Sequence, residues 1–104
     1  MTLKSCEYET YHNFFGNLAN PLKVNIILLL REKQQSVTEL TKNLHTEQSK
    51  ISHALSALKK CNIVQSKQKG KQRIYILNKK TIIPMLKLID KHAQTQCKGC
   101  PWRK

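Results

Sequence analysis

Two groups of residues in this 104-residue chain have the types and spacing to do chemistry. The first is the stretch CKGCPW, in which Cys97 and Cys100 form a CxxC. Two thiolates so spaced can share one Zn²⁺ or cycle between dithiol and disulfide. A CxxC is only half of a tetrahedral site, so a metal there needs further ligands. The same pair also reads as unused thiols in a basic tail. The second group lies in EQSKISHALSALKK, from Glu47 to Lys60. At about 100° per residue, Ile51, Ala54, Leu55 and Leu58 form one apolar stripe, and Ser49, His53, Ser56 and Lys60 form another on the opposite side. Water-facing helix surfaces usually carry long charged side chains. Short hydroxyl and imidazole groups instead let a helix backbone approach another molecule closely and donate to phosphates or base edges. A merely solvated face is the alternative.

Charge narrows the choice of partner. The formal net charge is +13, from 19 Lys and Arg against 6 Asp and Glu. Between Gln48 and Lys80 there is no acid, while Lys50, Lys59, Lys60, Lys67, Lys69, Lys71, Arg73, Lys79 and Lys80 all fall there. One basic region on a less charged body is the electrostatic footprint of a nucleic-acid binder. An enzyme is disfavoured. A dithiol oxidoreductase places its CxxC at a helix start after a strand, whereas this one trails the chain, and there is no glycine-rich phosphate loop or pair of acids. No catalytic residue is assigned.

The N-terminal stretch has no apolar core followed by a small-residue cleavage site, and IILLL at Ile26–Leu30 is too short to span a bilayer. A cytoplasmic chain with no membrane partner is expected. In a reducing compartment its four cysteines suit free thiols, metal ligands or sensors better than a disulfide frame.

The elements that must position these groups are legible in order. Tyr8, Tyr11, Phe14, Phe15 and Leu18 recur at helical spacing, and Gly16 and Asn17 are expected to weaken that helix's end. Asn20 and Pro21 start a second helix as N-cap and first residue. It runs to about Lys33, is apolar nearly all round, and should be the most buried. Ser36 and Glu39 have capping-box spacing for a third helix. After a short turn at His45 and Thr46, with Thr46 as expected N-cap, the two-striped helix follows. That succession is a helix-turn-helix, whose second helix enters the major groove.

After Cys61, expected as a core thiol, the pattern becomes β-rich. Ile63–Val64 and Ile74–Leu77 form the arms of a hairpin turning at Gly70, with Lys67, Lys69, Lys71 and Arg73 along it. This reads as a wing touching the DNA backbone, or as an edge hairpin that uses Lys against aggregation. A last helix is expected from near Lys80, with Pro84 in its first turn. Ile82, Met85, Leu86, Ile89 and Ala93 form a stripe too wide for a small domain to bury alone. A second copy is the simplest cover, with Tyr11 and Phe15 of the first helix helping. A twofold dimer would place two reading helices on successive major grooves. The expected fold is mainly α: a winged helix-turn-helix of about five helices and a two-stranded wing, one domain over 1–96 with a Cys-containing basic tail over 97–104. His12 and His45 are expected at the surface.

From about Phe14 to His92 the chain resembles the ArsR/SmtB family of bacterial and archaeal winged-helix regulators. LANPLKVNIILLL is similar to the family's L-x-[DN]-P-x-R-x-x-I-L-x-x-L opening. VTELTKNLHTEQSKISHALSALKKCNIV is similar to its helix-turn-helix core, and GKQRIYIL to its G-[KR]-x-x-x-Y-x-L wing exit. The resemblance implies a dimeric repressor that binds double-stranded operator DNA and releases it when an inducer, often a metal ion, binds. By position, Gln48, Ser49, Ser52 and His53 occupy the reading end of the recognition helix, with Lys50, Ser56 and Lys60 beside them. Lys23 stands where the family usually has Arg, and Ala54 where many members have a second His.

The inducer sites familiar in the family are not carried over. Ser36 and Thr38 stand where one branch has cysteines, and neither binds soft metals. Lys79, Thr81, His92 and Thr95 stand where another branch has metal ligands, so only His92 survives. In that fold the first helix, which Cys6 precedes, packs near the partner's last helix. This brings Cys6, or His92, within reach as a third ligand for Cys97 and Cys100. The implied agents are Zn²⁺, Cd²⁺, As(III) or a thiol oxidant. The residues also allow a winged helix without a sensor, used for constitutive DNA or RNA binding or for protein contact.

Overall fold

The structure, a computed structural model, describes residues 5–96, without the side chains of Ser5 and Cys6. Cys97 and Cys100 lie outside the described residues, and so does the side chain of Cys6. The elements run α1 (Ser5–Ala19), α2 (Pro21–Glu32), β1 (Gln35–Ser36), α3 (Val37–Leu44), α4 (Gln48–Lys60), β2 (Val64–Lys69), β3 (Gln72–Leu77) and α5 (Ile82–Thr95). This is the expected winged helix-turn-helix: five helices and an antiparallel hairpin.

Local chemistry sets most boundaries. Asn20 accepts from the Lys23 backbone N–H at 3.0 Å, and Pro21 opens α2 without an amide to satisfy. At the head of α3, Ser36 Oγ accepts from Glu39 N at 3.2 Å while Glu39 Oε1 accepts from Ser36 N at 3.1 Å, a complete capping box. His45 ends α3 in the left-handed region at φ 50, where a non-glycine residue is uncommon but a helix C-terminus calls for it. Gly70 turns the hairpin at φ 63, between the paired Lys69 and Gln72. Pro84 is the third residue of α5, inside its first turn.

Some expectations change. Thr46 does not cap α4. Glu47 occupies the N-cap with no side-chain bond, and the Thr46 hydroxyl donates 3.0 Å back to the Leu44 carbonyl. That carbonyl is one of the groups a helix end leaves unpaired, and it takes the hydroxyl first. α1 runs through Gly16 and Asn17 to Ala19. α2 is central, with Ile26, Ile27 and Leu30 buried, but it is not covered all round: Leu28 is exposed. α5 begins at Ile82, two residues after the expected start.

The sheet has a third strand. β1 pairs antiparallel with β3, Gln35 opposite Tyr75 and Ser36 opposite Ile74, giving the order β1-β3-β2. It roots the wing beside the capping box. Gln35 is buried and fully used: its Nε2 donates to the Leu29 carbonyl at 3.2 Å, and its Oε1 accepts from Asn43 Nδ2 at 2.8 Å. The core is made by Ile26 and Ile27 of α2, Leu40 of α3, Ile51, Leu55 and Leu58 of α4, and Ile63 and Leu77 of the wing root. The helix-turn-helix and the wing therefore share one apolar centre.

Candidate nucleic-acid interface

α4 is divided as its two stripes require. Ile51, Ala54, Leu55 and Leu58 are buried, while Gln48, Ser49, Lys50, Ser52, His53, Ser56 and Lys60 are all exposed. The inner stripe uses its apolar surface entirely inside the chain, which leaves the short polar stripe outward and unobstructed. No acid lies on that face: Glu47, at the N-cap, is the nearest along the chain.

The wing follows at once and is tied to α4. Lys59 Nζ donates to Ser66 Oγ at 2.9 Å, joining the last turn of α4 to β2. Asn78 at the wing exit is buried; its Nδ2 donates to the Asn62 carbonyl at 3.0 Å and its Oδ1 accepts from Lys80 N at 3.0 Å. Lys67, Lys69, Lys71 and Arg73 are all exposed. The register sorts them. Residues directly opposite on paired strands share a face, so Lys67 and Lys69 lie with Ile74 and Gln72, and Arg73 lies with Gln68, Ser66 and Tyr75. The ribbon thus presents cations from both faces, suited to entering a groove edge-on between phosphates.

A neighbouring cleft of about 450 Å³ lies between the start of α2 and α4, lined by Asn20, Leu22, Lys23, Ser49, Lys50, His53 and Ala54. In the sequence Lys23 stands out only as a departure from the family's Arg. Its Nζ donates to Asn17 Oδ1 at 2.8 Å, and Asn17 Nδ2 donates to Cys61 Sγ at 3.1 Å. Asn17, 7 % exposed, therefore ties α1 and α2 to the C-cap of α4. A lone Asn near a helix end carries no sequence signal for such a role. Cys61 is partly buried and packs on the core, as expected.

The expected dimer residues divide. Tyr11 and Phe15 are 63 % and 59 % exposed, stacked at 6.1 Å between ring centroids. Ile89 is 46 % exposed, and Met85 and Leu86 are partly buried. Ile82 is a correction: at 3 % exposure it belongs to the chain's own core, because it sits where α5 meets the wing exit, and it has no surface left for a partner. His92 is exposed in the last turn of α5. Among the described residues no three His, Cys, Asp or Glu gather as a metal site. His12 and His45 are at the surface. No described helix is long and apolar enough to cross a membrane.

Comparison with known proteins agrees with this geometry. A family model described as "Bacterial regulatory protein, arsR family" matches residues 20–66. The chain is 38 % identical over 60 residues to the HTH-type transcriptional repressor SmtB of Mycobacterium tuberculosis. That match takes in 58 % of this chain and 44 % of the repressor, so it spans less than half of that relative. Identity is 31 % over 85 residues with the HTH-type transcriptional regulator Rv0081 of the same species, covering 81 % of this chain and 75 % of that one. The crystal structure of Rv0081 superposes with a TM-score of 0.74 at 30 % identity, over 81 % of this chain and 85 % of that chain. The homodimeric winged helix-turn-helix domain Mb0332 from Mycobacterium bovis shares the fold, with a TM-score of 0.77 at 19 % identity over 86 % of this chain and 82 % of that one.

Proposed function

The chain belongs to the arsR family of bacterial regulatory proteins, and from that premise we propose a dimeric transcriptional repressor that reads operator DNA through α4 and grips its backbone through the wing. The observation that carries this reading is the outer face of α4: short donors and acceptors with flanking lysines, no acid, and a cationic ribbon fixed to the same helix. Ser49, Ser52 and His53 take the base edges, and Lys67, Lys69, Lys71 and Arg73 take phosphates. The exposed Tyr11, Phe15 and Ile89 support a second copy packed on α1 and α5, which would set the spacing of the two reading helices. A gel shift against the protein's own promoter and a scrambled duplex of equal length tests the proposal. The promoter should bind about 10³-fold more tightly; equal affinity for the two duplexes refutes a repressor of that promoter.

The tail is the proposed inducer site. Cys97 and Cys100, completed by Cys6 or His92, would take a thiophilic ion such as Zn²⁺, Cd²⁺ or As(III), or would oxidise to a disulfide. An inducer shifts an equilibrium only through its difference in affinity for two conformations. Changing Cys97 and Cys100 together to Ser should therefore leave DNA binding intact and abolish release by these agents. Equal release of both forms would place the sensor elsewhere, with His92 the next residue to change.

A further inference from the structure

α5 is lightly held. Ile82 and Ala93, near its two ends, are its buried residues, and Leu88 between them is 69 % exposed. Beneath its middle lies a cleft of about 460 Å³, within the size range of small-molecule sites. Leu18 of α1, Val24 and Ile27 of α2, and Leu86 and Ile89 of α5 give it apolar walls. At its rim Arg31 Nη1 meets Asp90 Oδ2 at 3.1 Å, the one ion pair among the described residues and the polar tie between α2 and α5. Both side chains are about one third exposed, so the pair is worth little and its members can exchange partners.

The direction of that exchange follows from each residue's neighbours. Side chains three or four apart on a helix are within reach of each other. Asp90 has Lys87 three residues back on α5 and keeps a cation if it leaves Arg31. Arg31 stands in the last turn of α2, where the positions three and four residues back are Leu28 and Ile27 and carry no acid; Glu32 follows it directly, about 100° round the helix and so not facing it. An incoming anion therefore leaves both charges partnered, whereas an incoming cation on Asp90 would leave Arg31 with no acid at helix spacing. We infer that the cleft between α2 and α5 binds a small apolar carboxylate, which replaces Asp90 on Arg31 and seats its hydrocarbon body against the walls. This rests on the repressor reading for its consequence: a body wedged under α5 moves a dimer helix, and with it the spacing of the two α4 helices. It makes the cleft a second input, separate from the thiol tail.

The probe is octanoate, with octanol and octylamine as arms of equal chain length. Binding is measured by calorimetry on the full chain, and DNA affinity is measured first without any probe. Octanoate should bind more tightly than octanol, and octylamine most weakly. Arg31→Gln should weaken octanoate about tenfold, the worth of one charge-assisted hydrogen bond, and leave octanol unchanged. Asp90→Asn should tighten octanoate a few-fold by removing its competitor. Val24→Phe, which fills the cleft, should abolish both; its circular dichroism and DNA affinity report whether it is folded, and Arg31→Gln stands as the test if it is not. No binding, as when a partner's side chain already fills the cleft, overturns the inference. So does equal binding of octanoate and octanol, or preference for octylamine. Loss of DNA binding in the unmutated, probe-free protein would refute the repressor reading instead, and leave the octanoate result to stand or fall alone.

Discussion

α4 and α5 carry similar apolar stripes and meet different ends. In α4, Ile51, Ala54, Leu55 and Leu58 are all buried within the chain. In α5 the ends of the stripe are buried, at Ile82 and Ala93, but Ile89 is 46 % exposed and Leu86 only partly covered. α4 lies between α2, α3 and β2, so its inner surface is used up and its outer surface is free for a polar partner. α5 follows the wing and lies at the margin of the core, so the described residues leave part of its stripe uncovered. The proposed regulator would use both conditions: one helix fixed rigidly enough to read, another adjustable enough to be moved.

The sharpest test of this contrast is salt. If α4 and the wing meet a polyanion, DNA affinity should fall by about 10³ or more between about 50 and 200 mM salt as counterions are released. The dimer, if its seam is apolar, should change by less than about tenfold over the same range. Parallel filter-binding and sedimentation series check this, and a dimer as salt-sensitive as the complex would break the contrast.

Truncating the two stripes should have different consequences. Leu58→Ala removes fully buried side-chain volume and should cost about 2–5 kcal/mol of folding stability, read as a lower urea midpoint. Ile89→Lys should leave the fold and its circular dichroism intact, and weaken self-association by about 2 kcal/mol through lost apolar burial, read by sedimentation. A monomeric unmutated protein at micromolar concentration would show that α5 is not completed by a second copy.

The smallest effects separate reading from anchoring within the proposed DNA-binding face. Ser49→Ala or His53→Ala should cost about 1–3 kcal/mol on the operator and little on random duplex. Lys69→Ala or Arg73→Ala should weaken every duplex alike and lower the salt slope by about one. Competition assays with operator and random DNA distinguish the two, and identical profiles would erase the division.

Much of this was legible in the sequence because its signals are local. Asn20-Pro21, the Ser36/Glu39 box, Gly70 and the two stripes of α4 each act on neighbours a few residues away. A residue's type and spacing therefore suffice to locate the helices, the turn, the wing and the exposed polar face. Thr46 does not follow the N-cap expectation because two helix ends compete for one hydroxyl, and type alone does not say which wins. Ile82 departs from the expected seam because a stripe on a helix does not reveal which part of it the chain's own core covers.

What the sequence determined by itself was thus the order of the helices and the hairpin, the basic acid-free region and the family resemblance, all carried by short-range patterns. Only the tertiary structure decided the rest. β1 is two residues long and has no periodicity; it exists because Gln35 and Ser36 lie against β3. Asn17 meets Cys61 across 44 positions, and Arg31 meets Asp90 across 59. The faces of the wing cations depend on strand register. Such pairings follow from how packed elements are placed relative to one another, and no window of neighbouring residues contains that information.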